Sequence, residues 1–522
     1  MIVIGSGISG SMAATILAHK GHSVLIIDGA AHPKFAIGES TVPLTSQTFE
    51  HLAAQTGIPE LLTLARGPQG IREKIGTTCG IKRAFCFLYH REGEENRPEE
   101  NNLFGNVWRD ENHLYRQDVD TYIFRAALRY GADALENTRV SSVELDDDGV
   151  TVSTVKGQRF RARYLIDGSG PRSPFIKQHE LAERPTSLRT NTRTIFTHMT
   201  DVKSYDDCVD NPFSQPWSTG TNHHVFDGGW FWVIAFDNWE GATNKVASVG
   251  LTLDADRYPP RDDVSPEEEF AEFVGKYPSI ARQFEDARAV RPWIRAPKIQ
   301  HSSRQCVGDR YCLMAHSYGF VDPLYSIGLI MTVTAVSKLV DPLCKALETD
   351  EFAREDFLDV EKAMVRRLRY ADMLIYGSYK SWSNYNLWNA WVRLWAIGLH
   401  ALESIFASHL MMGKYSKYEL VEDYITSEYE PQGYKALIEA GYASISAYAD
   451  GTIDADACAK QLWKLIEDYD FEVRLRPEPE FDGVEWAMRT PDVHDLFLGV
   501  PENHERWRKE QVDPWIPSDT PA

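Results

Sequence analysis

Apolar and polar positions near the start of the chain follow first the pattern of a strand and then that of a helix. Residues 1–4 are an apolar run of strand type, followed by a glycine-rich turn and a stretch with helical spacing. A second apolar run at residues 23–27 ends in Asp28. The pattern predicts a strand, a tight turn, a helix and a second strand, as in a parallel α/β sheet.

The pattern changes twice further along. Residues 163–167 are another apolar run that ends in a glycine turn, which indicates a further strand of the same sheet. Residues 192–253 are rich in β-branched and aromatic side chains and favour an antiparallel sheet, whereas helical spacing dominates from about residue 336. We therefore expect a first domain over residues 1–190 with parts returning at 290–335, a β-rich insertion over 191–289 and a helical domain over 336–522.

Composition limits the function without identifying it. The chain of 522 residues is longer than one hydrophobic core usually accommodates, so we expect more than one domain or large insertions. A formal charge of −21 argues against nucleic acid and an anionic membrane surface as partners. The seven cysteines include no Cys-x-x-Cys pair, and the adjacent His223 and His224 have no third ligand at metal spacing, so we assign no metal. Scattered cysteines, and a strand that begins at the first residue, favour a cytoplasmic protein without a leader peptide.

The turn after the first strand carries a chemical signal. Gly5 permits the tight turn, Gly7 lets the backbone approach a pyrophosphate, and Gly10 lets the helix pack closely on the strand. The helix N-terminus attracts phosphates, and Asp28 can accept hydrogen bonds from a ribose diol. We predict a dinucleotide site; the alternative is an ordinary strand–turn–helix with incidental glycines.

A lysine in an otherwise apolar segment is the main catalytic candidate. Residues 79–89 predict one strand, on which Lys82 shares a face with Ala84, Cys86 and Leu88. A lysine above small side chains has space around its amine. The alternative is a strand lysine that extends its amine to water.

Two segments resemble the FAD-binding elements of flavoprotein monooxygenases of the hydroxybenzoate hydroxylase type. They are Gly5-x-Gly7-x-x-Gly10 and Gly308-Asp309-Arg310. In that family the Asp of Gly-Asp-Arg contacts the ribityl chain, so the resemblance assigns this role to Asp309. The fold class it implies is α/β, with a Rossmann-like FAD-binding domain, a β-rich substrate-side insertion and a C-terminal helical domain.

Further segments resemble flavin-dependent halogenases. Residues 320–328, with the pattern Phe-x-x-Pro-x-x-Ser-x-Gly, resemble the segment under the isoalloxazine ring, and Lys82 stands where halogenases carry their essential lysine. Trp230-x-Trp232-x-Ile234 resembles the Trp-x-Trp-x-Ile-Pro motif, with Ala235 in place of the proline. Tyr325 stands where tryptophan halogenases carry a Glu, which favours the phenol-type group and a phenolic or related aromatic substrate.

The resemblance implies a mechanism. Reduced FAD and dioxygen give a flavin hydroperoxide, halide attacks it to give hypohalous acid, and Lys82 delivers the halogen to an aromatic ring through a hydrogen bond or a haloamine. Because we see no second dinucleotide site for NADH, a separate flavin reductase would supply FADH2. The alternatives are a flavin-dependent aromatic hydroxylase and a FAD-binding protein without turnover.

The motifs and the resemblance together assign the site. Lys82 is the catalytic residue, Trp230 and Trp232 keep the substrate away from the flavin, and halide binds at the turn of Ser326, Ile327 and Gly328. The residues expected to border FAD are Gly5, Gly7, Gly10, Asp28, Gly38, Glu39, Ser40, Arg116, Val140, Asp309, Pro323 and Gly328.

Several assignments have structural alternatives. Glu39 could cap the helix that follows, Arg116 could be a structural salt-bridge partner, and residues 326–328 could be a plain glycine turn. The tryptophan pair could be core packing. Aromatic residues at steps of three or four from Tyr376 to Trp395 would form one helical stripe, for which packing against the core is the safer interpretation.

Overall fold

The computed structural model describes residues 1–106, 110–213, 215–411 and 434–469, with side chains up to residue 399 in the third range. Much of the predicted helical domain over 336–522 therefore lies outside the described residues. The helices, numbered along the chain, are α1 (Ile8–His19), α2 (Pro43–Thr56), α3 (Pro59–Ala65), α4 (Gly67–Lys74), α5 (Arg116–Arg129), α6 (Pro174–Gln178), α7 (Pro266–Val274), α8 (Pro278–Gln283), α9 (Ala315–Tyr318), α10 (Ile327–Thr349), α11 (Leu358–Ser381), α12 (Tyr385–Met411), α13 (Tyr434–Ala449) and α14 (Ala455–Glu467).

The strands are short and belong to several sheets. In chain order they are β1 (Ile2–Ile4), β2 (Leu25–Ile27), β3 (Gly80–Lys82), β4 (Ala84–His90), β5 (Asn102–Gly105), β6 (Glu111–His113), β7 (Asp133–Leu135), β8 (Val140–Asp146), β9 (Gly149–Thr154), β10 (Arg159–Ala162), β11 (Leu165–Asp167), β12 (Thr192–Thr200), β13 (Gly220–Phe226), β14 (Gly229–Ala235), β15 (Ala247–Asp254), β16 (Arg288–Ala289), β17 (Ile294–Ala296), β18 (His301–Ser302), β19 (Val307–Gly308), β20 (Tyr311–Leu313) and β21 (Gly319–Phe320).

A six-stranded sheet forms the Rossmann-like part of the fold, in the order β19-β20-β11-β1-β2-β7. β1 pairs in parallel with β2 and β11, and β20 pairs in parallel with β11. The carboxyl ends of these strands therefore meet at one edge, where ligands of such sheets bind. The apolar helix α1 is buried along nearly its whole length because it packs against α5 and α10. The predicted α/β core, with its return to the sheet at β11, is confirmed.

An eight-stranded sheet forms the β-rich part, in the order β16-β12-β15-β14-β13-β4-β5, with β17 also paired to β12. Its strands are antiparallel except for β4 and β13, which run parallel. Strands β4 and β5 come from residues 84–105. The predicted boundary at residue 190 therefore runs through this sheet and does not separate two bodies.

The single strand predicted over residues 79–89 is instead two strands in different sheets. β3 pairs with β6, whereas β4 pairs with β5 and β13. Arg83 lies between them, with its N–H donating to Thr219 O (2.7 Å) and its carbonyl accepting from Asn106 N (2.7 Å). Because the chain changes sheets at Arg83, the alternation of faces does not continue from β3 into β4.

The long helices α10, α11 and α12 pack against one another and against α1 and α2. Among the described helices, α10 is long and apolar enough to cross a membrane by length and composition, and 67% of its apolar window is buried inside the protein. The aromatic stripe predicted along one helix is divided between α11 and α12. Trp388 and Trp391 of α12 are fully buried, so this part of the series packs into the core as expected.

Candidate active site

Three glycines shape the turn between β1 and α1. Gly5 has φ +92°, and a Cβ there would lie 2.5 Å from the Gly168 carbonyl oxygen. A Cβ on Gly10 would lie 2.0 Å from the Gly5 carbonyl oxygen, so α1 packs on β1 at a distance that only glycine allows. At Gly7 the space is open, because the nearest atom to a Cβ would be Asp120 Oδ2 at 4.0 Å. The N-terminus of α1 therefore has room for a pyrophosphate.

Asp28 follows β2 at the same edge of the sheet. Its carboxylate accepts hydrogen bonds from Ser6 N (2.6 Å) and Ala30 N (2.8 Å), and it forms an ion pair with Lys34. Burial acts to raise the pKa of Asp28, but Lys34 and the two N–H groups lower it below its usual value. The carboxylate is therefore ionised at neutral pH, as a ribose acceptor requires.

Arg116 holds the turn at Gly38, whose φ is +88°. Its Nη1 donates to Ile37 O (2.6 Å) and Gly38 O (3.0 Å). Its Nε and Nη2 donate to the two carboxylate oxygens of Asp120 at 2.7 and 2.9 Å. The structural alternative for Arg116 is thus realised, and the pair lies beside Gly7. Contact between Arg116 and FAD stays a prediction, and so does contact between FAD and Val140 at the start of β8.

Asp309 lies at the other edge of the sheet. It is in the turn between β19 and β20, before the amino end of β20, and β20 is parallel to β11. Its Oδ1 accepts a hydrogen bond from Arg354 N (2.8 Å). The turn at Gly5 follows the carboxyl end of β1, so the two turns face away from each other across the sheet. The predicted ribityl contact of Asp309 is therefore wrong.

His316, in α9, follows β20 closely in the chain. It lies at the same edge of the sheet as the turn at Gly5. Its Nε2 is 3.2 Å from Gly328 O, and its ring stacks on Phe320 with centroids 5.4 Å apart. Burial, with the charge of Arg116 acting in the same direction, lowers the pKa of His316 to about 4. The sequence interpretation missed this residue. Its position just after the apolar run of β20, comparable to that of Asp28 after β2, was the available signal.

Lys82 lies at the end of β3 and is fully buried. Its Nζ donates hydrogen bonds to Ser40 Oγ (2.8 Å) and Thr41 O (3.0 Å). Ser326 Oγ donates to the same Ser40 Oγ at 3.1 Å. The predicted catalytic amine and the predicted halide turn are therefore joined through the hydroxyl of Ser40.

Backbone pairing brings Ser40 next to Lys82. Ser40 forms a β-bridge with His113, and β6 pairs with β3 so that Lys82 lies opposite Glu111. Glu111 is fully buried, and its Oε2 accepts a hydrogen bond from Ser46 Oγ (2.6 Å). A buried amine and a buried carboxylate thus occupy facing positions on neighbouring strands.

The surroundings of the amine differ from the prediction. Lys82 Nζ lies 3.5 Å from the ring centroid of Phe85, which is a cation–π distance. The predicted neighbours pack elsewhere, in a separate apolar cluster with Trp217. That prediction is wrong because Arg83 interrupts the strand; the residues concerned are Ala84, Cys86 and Leu88.

Glu39 forms a buried pair with His198. Its Oε1 is 2.9 Å from His198 Nε2, and both side chains are buried. Helix α2 begins at Pro43, with Val42 at its N-cap and no side-chain cap. The helix-cap alternative for Glu39 is therefore wrong. A place beside the flavin stays a prediction, and sequence reasoning had not paired Glu39 with His198.

The segment before α10 is held in a left-handed turn. Ser326 has φ +55° and is the N-cap of this 23-residue helix, and its N–H donates to Pro323 O (3.0 Å). Asp322 fixes the segment, because its Oδ2 accepts from Thr192 Oγ1 (3.0 Å) and Tyr379 OH (3.2 Å). The N–H groups of Ile327 and the following residues belong to the first helical turn, which has no intrahelical acceptor. The arrangement suits an anion.

The tryptophan pair of β14 is buried in the core. The rings of Trp230 and Trp232 lie 5.7 Å apart at 47°, and Trp230 stacks on His223 at 5.5 Å. The packing alternative is realised, and the role in keeping substrate from the flavin stays a prediction. Within the described residues no group of three or more His, Cys, Asp or Glu could hold a metal ion.

Several aromatic rings pack around Phe85, whose ring contacts the amine of Lys82. The Phe85 ring meets Trp395 edge-on at 4.9 Å, and Trp395 lies 4.8 Å from Tyr325. Phe87 lies 5.5 Å from Trp388 and 6.0 Å from Tyr325. Strand β4, α12 and the segment before α10 thus contribute to one aromatic cluster next to Lys82.

Comparison with known proteins identifies the class. The family described as the FAD binding domain matches residues 1–284. With the parallel sheet and the open turn at Gly7, this match defines a flavoprotein that binds FAD.

Relatives narrow the class further. Tetracycline 7-halogenase of Kitasatospora aureofaciens is 44% identical over 402 residues, which cover 76% of this chain and 72% of that protein. Monodechloroaminopyrrolnitrin halogenase PrnC of Pseudomonas fluorescens is 38% identical over 90% of this chain and 85% of its own length. The crystal structure of halogenase PltM in complex with phloroglucinol and FAD covers 91% of this chain and 96% of its own, with 32% identity and a TM-score of 0.84. The chain belongs to the flavin-dependent halogenases; its cofactor is FAD, and halide is its co-substrate.

Proposed function

We propose that this enzyme halogenates a phenolic or other electron-rich aromatic ring by way of Lys82. The observation that carries the proposal is the hydrogen-bonded path from Ser326 Oγ to Ser40 Oγ (3.1 Å) and on to Lys82 Nζ (2.8 Å). It joins the first turn of α10, where we place the halide, to a fully buried amine. Neither hydroxylation nor passive FAD binding requires an amine held in that position.

In this proposal each group has one task. Bound reduced FAD, with dioxygen, supplies the oxidant that converts halide into hypohalous acid. The N–H groups of Ile327 and Gly328 hold the halide beside the cofactor, and the turn at Ser326 leads towards Lys82. The ring carbon then forms its bond to halogen as the halogen–oxygen bond of hypohalous acid breaks, and the oxygen leaves as water with the proton lost from the ring.

The contacts of Lys82 favour a hydrogen-bond donor over a haloamine. Its N–H groups already donate to Ser40 and to the Thr41 carbonyl, and the amine faces the π-cloud of Phe85 at 3.5 Å. All three neighbours attract N–H hydrogens. The N–H that faces the Phe85 ring makes the weakest of the three contacts, so in this proposal it turns to hypohalous acid and polarises the halogen–oxygen bond without forming a covalent adduct.

The substrate class rests on the relatives and on the aromatic cluster. The names of the relatives specify tetracycline and monodechloroaminopyrrolnitrin, and the PltM crystal contains phloroglucinol. In this chain Phe85, Trp395 and Tyr325 form a run of rings beside the amine. Aromatic rings pack well against one another in offset or edge-on contact. We therefore propose an aromatic substrate whose ring is activated by hydroxyl or amino groups.

The test compares substitutions at two adjacent positions. Lys82→Ala and Lys82→Arg should abolish halogenated product from phenol, resorcinol and aniline panels, because guanidinium cannot replace the amine geometry. Arg83→Ala is the matched control, since Arg83 is paired at the surface with Asp110. Mass spectrometry of assays with FAD, a flavin reductase, NADH and chloride or bromide gives the readout. Near-normal halogenation by Lys82→Ala would disprove the proposed role of the lysine.

We also propose that FADH2 comes from a separate reductase. The protein with FAD and NADH alone should then produce no halogenated product, and adding an unrelated flavin reductase should start turnover. Rapid NADH oxidation by this protein alone would instead support a single-component hydroxylase.

A further inference from the structure

The hydroxyl that joins Lys82 to Ser326 continues into a second buried chain of hydrogen bonds. Ser40 Oγ is 3.1 Å from Thr221 Oγ1, which is 2.8 Å from His113 Nε2. His113 Nδ1 is 2.9 Å from the carbonyl oxygen of Ala235. The side chains of Ser40, Thr221 and His113 are all buried, and they come from the loop before α2, from β13 and from β6 respectively.

The direction of every bond in this chain is determined. A carbonyl oxygen only accepts, so His113 Nδ1 carries a hydrogen and donates to Ala235 O. Burial, with the charge of Lys82 acting in the same direction, lowers the pKa of His113 to about 3, so the ring is neutral and Nε2 is an acceptor. Thr221 must therefore donate to His113 and accept from Ser40.

The direction of these hydrogen bonds determines that Ser40 Oγ acts as an acceptor towards Lys82 and Ser326. Because its single hydrogen is directed to Thr221, its oxygen presents lone pairs to Lys82 Nζ and Ser326 Oγ. Both of those groups donate to it, in agreement with the distances of 2.8 and 3.1 Å. A protonated His113 would reverse the order, since Thr221 would then donate towards Ser40.

We infer that His113 and Thr221 are positioning residues, which set the hydrogen bond between Ser40 and Lys82 and so aim the amine at the hypohalous acid. Neither residue touches the reacting atoms; both act through Ser40. The inference rests on the proposed role of Lys82, and it adds two residues that no motif in the sequence marks. Their effect is confined to the delivery of halogen, after cofactor and substrate have bound.

Two substitutions at Thr221 separate positioning from packing. Thr221→Val keeps the shape but removes the hydroxyl, whereas Thr221→Ser keeps the hydroxyl and removes the methyl group. We expect Thr221→Val to lower kcat for halogenated product by about tenfold or more, with FAD affinity and substrate KM changed by no more than about twofold. Thr221→Ser should keep kcat within about threefold of the wild type.

A role of Thr221 in packing alone predicts the opposite order of activities, with Thr221→Ser less active than Thr221→Val. Activity retained in Thr221→Val, lost equally in both variants, or lost only in Thr221→Ser would overturn the inference. Thr63→Val is the matched control, because it removes a buried hydroxyl of α3 that lies 3.1 Å from Tyr122 OH of α5. We expect it to leave kcat and KM unchanged.

A second measurement does not depend on halogenation. Nitrogen-15 NMR of histidine-labelled holoenzyme should show His113 as the neutral Nδ1–H tautomer from about pH 6 to about pH 8. The signal is assigned by its absence in His113→Asn. An imidazolium or an Nε2–H tautomer would overturn the inference even in an active enzyme. A wild-type protein that halogenates no arene, but shows the expected tautomer, would contradict the proposed function and leave the hydrogen-bond order supported.

Discussion

Asp322 makes the folded protein more stable as the pH falls below neutrality. Its carboxylate is buried and accepts hydrogen bonds from Thr192 Oγ1, Tyr379 OH and Leu324 N at 3.0, 3.2 and 3.1 Å. Burial raises its pKa from 3.8 to about 6, although these donors act to lower it. The folded state therefore binds this proton more tightly than the unfolded state does.

The magnitude follows from that difference. A rise in pKa from 3.8 to about 6 corresponds to about 3 kcal/mol of unfolding free energy. The stabilising effect of the proton is fully present below about pH 4 and is lost as the pH rises through about 6. About 1 kcal/mol of this stabilising free energy is lost between pH 5 and pH 7, a range in which unfolding is readily measured.

Asp322→Asn mimics the protonated acid at every pH, so it removes this dependence. Urea unfolding followed by tryptophan fluorescence at about pH 5, 6 and 7 would give both free energies of unfolding. We expect the free energy of Asp322→Asn minus that of the wild type to increase by about 1 kcal/mol from pH 5 to pH 7. Equal pH slopes for the two proteins would refute the argument, and a slope of opposite sign would place the carboxylate in an environment that favours its charge.

Four further substitutions test the placement of the site. Gly7→Ala should melt within about 2 °C of the wild type yet bind FAD at least about tenfold more weakly by fluorescence titration, whereas Gly10→Ala should lose both fold stability and FAD because its Cβ meets backbone at 2.0 Å. Ser40→Ala should reduce halogenated product per NADH consumed by about tenfold, measured by mass spectrometry, because it removes the acceptor of Lys82. Asp309→Ala should leave FAD affinity within about twofold, and a large loss would contradict its place at the far edge of the sheet.

Local features of the site were predictable from the sequence. The turn at Gly5, Gly7 and Gly10 depends on residues within one strand–helix unit. Gly5 has the positive φ and Gly10 the close packing expected of them, whereas the approach of a pyrophosphate to Gly7 stays a prediction. Asp28 was predictable for the same reason, because it directly follows an apolar run. Such features are determined by the spacing of neighbouring residues, which a single sequence displays.

Features that depend on strand pairing were not predictable. The tripeptide at Asp309 has the composition of a cofactor motif, but only the parallel pairing of β20 with β11 decides which sheet edge it occupies. Likewise the face of Lys82 follows from a change of sheet at Arg83, which leaves no mark in the hydrophobic pattern. Pairings between distant segments are selected by tertiary packing rather than by local propensity.

The burial of Lys82 itself bears on the choice between halogenase and hydroxylase chemistry. Removing a lysine amine from water is costly even when it is hydrogen-bonded, and an apolar residue of similar length would fill the same space at lower free energy. The fold nevertheless directs Ser40, the Thr41 carbonyl and the Phe85 ring at this amine, and orders a further chain through Thr221 behind it. In a hydroxylase the flavin oxygen reaches the ring directly, so such an arrangement would lower stability without serving the reaction. In the mechanism proposed above, the halogen passes from one site to another by way of a fixed donor between them, and such a donor is the reason we propose for a buried amine at this position.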